Sequence, residues 1–111
     1  MKVRIPQGPS KADLMQQLQK FQDDTAALQA DLDAREYTAE SGGGLVSVTV
    51  NGLHEVKSIK ISPDALEDAE MVEDLVTVAV NQAIEQARKT SEEEMAALQG
   101  SMNLPSIPGL L

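Results

Sequence analysis

The sequence predicts an α+β fold in the order helix, three antiparallel strands, helix, and three observations carry that prediction. Leu14, Leu18, Phe21, Thr25, Leu28, Leu32 and Arg35 recur at alternating spacings of four and three, which draws one narrow seam along a helix. The run from Ser41 to Leu66, SGGGLVSVTVNGLHEVKSIKISPDAL, places two strand patterns among a glycine triplet, an Asn-Gly pair and a Ser-Pro pair. A second apolar pattern at helical spacing then runs from Val72 to Leu98.

Each element has a local cause. Pro6, Gly8 and Pro9 keep the leader out of helix, and Ser10 with Asp13 offers a capping-box start to a helix from about Lys11. Its seam suits packing against another helix of the same assembly, with Thr25 and Arg35 as polar interruptions. Tyr37 to Ser41 reads as a short strand, and Gly42 to Gly44 supply the positive φ of a tight connection. From Leu45 to Val50 the alternation is clean, with Val46, Val48 and Val50 on one face and Leu45, Ser47 and Thr49 on the other. Asn51-Gly52 signals a hairpin, and the return strand ends at Ile61 with Ile59 and Ile61 inward and Ser58 and Lys60 outward. Ser62-Pro63 caps a single turn over Asp64 to Leu66. The long helix restarts at or just after Asp68. Val72, Val76, Ala79, Val80, Ala83, Ile84, Ala87, Ser91, Met95 and Leu98 trace its apolar side, and Gly100 is expected to end it.

A chain of 111 residues makes one domain, with residues 10–99 folded, 1–9 a flexible leader and 100–111 a flexible tail. One Phe, one Tyr and no Trp leave the core to Val, Leu, Ile, Ala and Met. Such a thin core leads us to expect a homodimer, with Val46, Val48, Val50, Val76 and Val80 as core and dimer residues. No segment reaches the apolar length of a membrane span, and the two charges of Met1 to Ile5 precede no apolar run, so we expect neither membrane insertion nor a secretory signal. The absence of Cys excludes disulfides, thiolate catalysis and Cys-ligated zinc and fits a reducing cytoplasm.

Catalysis and cofactors find no support in the motifs. Gly42 to Gly44 precede a strand rather than a helix and lack the Lys-Ser/Thr pair of a phosphate loop. His54 has no nucleophile pattern around it. Glu70, Glu73, Asp74 and the run Glu92 to Glu94 have no second ligand type, so they read as solvated faces rather than a metal site.

The charge census matters more. Eighteen acidic against nine basic residues give a net charge of −9, so any contact with a polyanion must be local. Several cations have acidic neighbours at helical spacing: Lys20 with Asp24, Arg35 with Asp31, Arg88 with Glu92, and Lys89 between Glu85 and Glu93. Lys2, Arg4, Lys11, Lys57 and Lys60 are less encumbered. There is no helix-turn-helix, zinc-finger or base-stacking signature.

The glycine–strand–turn–strand–Ser-Pro order, with EDAEMVEDLV at Glu67 to Val76, closely resembles the YbaB/EbfC family of small bacterial nucleoid-associated proteins, over about Leu14 to Leu104. The resemblance implies a tweezer-shaped homodimer in the cytoplasm and nucleoid that binds double-stranded DNA with little sequence specificity and bends or compacts it. It also implies that DNA lies against helical arms, here Lys11 to Arg35 and the later half of the second helix, with Lys11, Lys20, Arg88 and Lys89 as leading candidates beside Lys2, Arg4, Lys57 and Lys60. The chain departs from the family pattern in its leader, MKVRIPQGP, and at Ser47, where relatives often carry Lys. A protein-interaction module without significant DNA binding, using its grooves and Leu104 to Leu111, is the alternative.

Overall fold

A computed structural model describes residues 10–101 of the chain. The elements are α1 (Lys11–Ala34), β1 (Glu36–Ser41), β2 (Val46–Asn51), β3 (Val56–Ile61), a 3-10 turn (Pro63–Ala65) and α2 (Ala69–Ser101). The helix–sheet–helix order is the expected one. The leader and nearly all of the expected tail, with Lys2 and Arg4, lie outside the described residues. The second helix does not stop at Gly100 but runs on to Ser101, since a glycine costs a helix only about 1 kcal/mol.

The caps form as the local chemistry requires. Ser10 Oγ accepts from the Asp13 N–H at 3.1 Å while the Ser10 N–H donates to Asp13 Oδ2 at 3.3 Å, which closes the capping box. Ser62 Oγ accepts from the Asp64 N–H, Pro63 sits in the first turn, and Asp68 Oδ1 accepts from the Met71 N–H at the start of α2.

The sheet is antiparallel in the order β1-β2-β3. Its register pairs Val46 with Ser41 and Ile61, and Val48 with Ala39 and Ile59, so these residues share one face. Ala79, Ala83 and Ala87 of α2, at intervals of four, press onto that face together with Val46, Val48, Val50 and Ala39. Leu75, Val76, Val80 and Ile84 flank the contact and are partly buried. The opposite face is polar, and there the Thr38 and Thr49 hydroxyls lie 2.8 Å apart.

Helix α2 lies over β1 and β2 and barely reaches β3. Ile59 is therefore on the predicted face yet 44% exposed, beside Val56 at 46%. Val46, Val48 and Val50 are completely covered within one chain, so they are core and offer nothing to a partner.

Two turns seat the helices. At Gly42, Gly43 and Gly44 all three φ values are positive, and Ser41 Oγ donates to the Leu75 carbonyl at 2.6 Å. The other turn departs from the two-residue hairpin that Asn-Gly signals. Asn51 is the last residue of β2, and its Oδ1 accepts from the N–H groups of Leu53 and Glu55, organising a longer loop with His54 at φ 65°. Gly52 is needed for another reason: a Cβ there would stand 1.9 Å from the Leu32 carbonyl oxygen, and its N–H donates to the Asp33 carbonyl. The last turn of α1 sits on this glycine.

Both helices consequently leave the same end of the sheet. Leu75 is held at one end, whereas Arg35, entering β1 at the other, bonds to Glu94, seven residues past the last alanine of the core. Helix α1 packs chiefly on α2, and its buried residue is Leu32.

Two predictions follow from this packing. Gly52→Ala should cost about 2 kcal/mol or more in urea denaturation, since backbone rather than a flexible side chain must yield. Gly43→Ala, with nothing within 4 Å but a φ of 69°, should cost only about 1 kcal/mol. Equal losses would refute the seating role of Gly52. In amide exchange, residues 72–87 of α2 should be most protected, 88–101 intermediate because Ser91, Glu94, Met95 and Leu98 are half-buried, and the fully exposed stretch 11–20 of α1 fastest.

Candidate nucleic-acid interface

An interface for a polyanion needs cations that are free to leave their present partners, and the described cations divide clearly on that test. Arg35 is committed. Its guanidinium donates to Asp31 Oδ2 on α1 and to both Glu94 oxygens on α2, the Nη2–Oε1 contact being 2.9 Å. Bonds to Glu94 first and Asp31 second push its pKa further up, so the group is a permanently charged clamp between the helices. The helical spacing announced Asp31 but not Glu94, which lies 59 residues away in sequence.

Arg88 is gripped by two carboxylates on its own helix: Nε donates to Glu85 Oε2 at 3.1 Å and Nη1 to Glu92 Oε1 at 2.7 Å. The Glu85 bond is the main cause of a raised Arg88 pKa, and the Arg88 bond lowers that of Glu85. Lys89 has a looser partner in Glu93, at 4.0 Å and with both side chains largely exposed. Glu85, expected beside Lys89, is turned to Arg88 instead.

Lys11, Lys20, Lys57 and Lys60 make no ion pair among the described residues. The expected Lys20–Asp24 pair does not form. On the same helix, amides satisfy the carboxylates of Asp23 and Asp33, through Gln19 at 3.0 Å and Gln29 at 2.7 Å. Lys11 and Lys20 lie on the exposed outer part of α1, about half a helical turn apart around the axis. Lys57 and Lys60 lie on β3, the edge strand, whose sequence VKSIKI carries no acid. Lys60 pairs in register with Ser47 and projects on the open polar face with Ser58 and Thr49.

The leading four candidates are thus not brought together: two are free on α1 and two are held on α2, while the free sheet pair is a separate group. Sequence reasoning missed the double grip on Arg88. Glu85 at i−3 and Glu92 at i+4 are the signal that could have found it. Among the described residues no group of His, Asp and Glu could hold a metal, and no helix is long and apolar enough to cross a membrane.

Residues 8–102 match the YbaB/EbfC DNA-binding family, which is not an enzyme family. The chain is 41% identical over 102 residues to a nucleoid-associated protein of Clostridium kluyveri, covering 90% of each chain. It is 45% identical over 101 residues to one from Desulfotalea psychrophila, covering 88% of this chain and 94% of that one. An uncharacterised Helicobacter pylori protein of known crystal structure superimposes with a TM-score of 0.68 at 24% identity, covering 83% of this chain and 99% of that one, which establishes the shared fold. With the family matched across the helices and the whole sheet, the chain belongs to the YbaB/EbfC DNA-binding family.

Proposed function

We propose that this protein is a nucleoid-associated homodimer that binds duplex DNA through phosphate contacts, with little sequence specificity, in the cytoplasm and nucleoid. Its relatives' description as nucleoid-associated supports the location. The observation that carries the reading, beyond family membership, is the set of lysines with no ion pair among the described residues in a chain of net charge −9: Lys11 and Lys20 on the projecting arm, and Lys57 and Lys60 on β3. Lysine is a point charge suited to phosphate rather than to base edges. No described element offers an aromatic stacking platform, so sequence preference has little to work with. Two arms in a dimer supply separated contacts of the sort that bend or compact a duplex.

The partner chain finds its seat where α2 fails to cover the sheet. Val56 and Ile59 on β3 are 46% and 44% exposed on a face that a single layer of helix leaves open, and the segments before and after the strand add Leu53 and Leu66 as further exposed apolar side chains. The narrowest dimension, 19 Å, accommodates a sheet and one helix layer only. Ile59→Glu should therefore convert a dimer into a folded monomer in sedimentation at micromolar concentration. A wild type that sediments as a monomer overturns the homodimer, and an unaffected variant moves the interface elsewhere.

DNA binding is tested by anisotropy at two salt concentrations. Eight phosphate contacts per dimer would give a log–log salt slope of about −7, and the acidic surroundings should reduce it to about −2 to −4. Lys11→Glu/Lys20→Glu and Lys57→Glu/Lys60→Glu should each weaken binding to unrelated duplexes by a similar factor. Arg88→Glu/Lys89→Glu should do less, because Arg88 must first be released. Conversely, Glu85→Gln/Glu92→Gln should free Arg88 and tighten binding. No binding at low salt would favour the protein-interaction reading, which the exposed Leu14, Met15 and Leu18 also support.

A further inference from the structure

We propose that Asn51 is a deamidation site, whose side-chain amide is lost to attack by the Gly52 backbone nitrogen, and that the seat of α1 on Gly52 holds the reaction back. The inference is independent of DNA binding. Asn51 is the only asparagine of the sequence followed by glycine, the others being Asn81-Gln82 and Asn103-Leu104. Asparagine is a thermolabile residue, and a following glycine puts no side chain in the path of its own nitrogen.

The surroundings favour the chemistry once that nitrogen arrives. Asn51 Oδ1 accepts from the N–H groups of Leu53 at 2.9 Å and Glu55 at 3.0 Å, two fixed donors aimed at the oxygen that turns negative when its carbon is attacked. In the reaction the Gly52 nitrogen gives its proton to water and bonds to Asn51 Cγ. The Cγ–Nδ2 bond breaks, Nδ2 takes up a proton and leaves as ammonia, and a cyclic imide remains. Water then opens the imide at either carbonyl, which leaves aspartate or isoaspartate in place of the asparagine, with no change of oxidation state.

The nitrogen does not arrive while α1 is seated. The Gly52 N–H donates to the Asp33 carbonyl at 3.2 Å, and the Leu32 carbonyl oxygen packs where a Cβ of Gly52 would stand. Turning this peptide toward Cγ therefore breaks the contact with the last turn of α1. Asn51 itself is 8% exposed, with Nδ2 tied to Glu55 Oε1 at 2.7 Å. The close approach that demands glycine at position 52 thus makes the preceding asparagine vulnerable and also restrains it. Conversion loosens the seat further, because a carboxylate replaces the donor that faces Glu55 and two like charges meet. The isoaspartate form also adds a backbone atom between β2 and the loop.

Incubation of the full-length protein at mildly alkaline pH, followed by peptide mass spectrometry, reads the amide-to-acid mass gain at Asn51, with Asn81 as internal control. Wild type should convert at least about tenfold more slowly folded than in urea, because the seat must open first. Glu94→Ala, which breaks the Arg35 clamp at the same end of α1, should raise the folded rate about threefold or more and leave amide exchange in residues 72–87 unchanged. Asn51→Asp, which installs the product directly, should speed exchange over residues 21–34 about tenfold and again leave residues 72–87 unchanged. Folded and unfolded wild type converting at one rate, a Glu94→Ala rate equal to that of wild type, or unchanged exchange in Asn51→Asp would each overturn the proposal.

Discussion

The fold depends on one contact, the seating of three alanines of α2 on three valines of β2. Without Trp and with a single Phe, the chain has no bulky anchor to hold a helix against a sheet, so it relies on close approach. Ala79, Ala83 and Ala87 present one small-residue ridge, and Val46, Val48 and Val50 present the complementary row at the two-residue period of a strand. A ridge one residue wide covers little more than two strands. From that limit follow the exposed inner face of β3 and the half-buried state of Val76 and Val80, which flank the contact instead of filling it. The chain is thus stable where it is narrow and incomplete where it is wide.

A long α2 also overshoots the sheet, and the overshoot gives α1 something to pack on. The Arg35 clamp, the Gly52 seat and the buried Leu32 all lie at this junction. They hold only the C-terminal part of α1, and residues 11–20 project into solvent. The lysines that are free lie on this projection and on the uncovered edge strand, away from the ion pairs that tie α2 together.

Local chemistry made most of the fold legible. Capping at Ser10 and Ser62, the positive-φ glycines, the valine alternation and the α2 stripe act within a few residues, and each appears where the sequence places it, whereas the α1 seam is buried only toward its C-terminal end at Leu32. What stayed hidden involves partners remote in sequence. Asn51-Gly52 looks like a two-residue turn because that is its commonest use, but the tertiary demand of the Leu32 carbonyl determines why the glycine is there. Arg35 looks like a flaw in the α1 seam until Glu94 is placed beside it. Burial of Val56 and Ile59 depends on the lateral position of α2, which periodicity does not encode. For the candidate interface, spacing found the Asp31, Glu92 and Glu93 partners but overcounted at Lys20, where a favourable i+4 spacing to Asp24 permits a pair without requiring one.

The ion pairs on α2 make phosphate binding a competition rather than a titration. Arg88 stays charged at every physiological pH, and its bond holds Glu85 below the ordinary carboxylate range. A depressed carboxylate contributes its stabilisation above its unfolded pKa and loses it only as pH falls through the lowered folded value. Between pH 6 and 8, therefore, protonation does not release Arg88. An approaching phosphate has to displace Glu85 and Glu92 in turn, each an exposed and weak pair, and then remain beside the displaced carboxylates. The second cost adds to the first, because the negative field persists after the bonds are broken. On that ground the lysines with no ion pair among the described residues, not the arginine with the strongest hydrogen bonds, have the least to displace before meeting a phosphate.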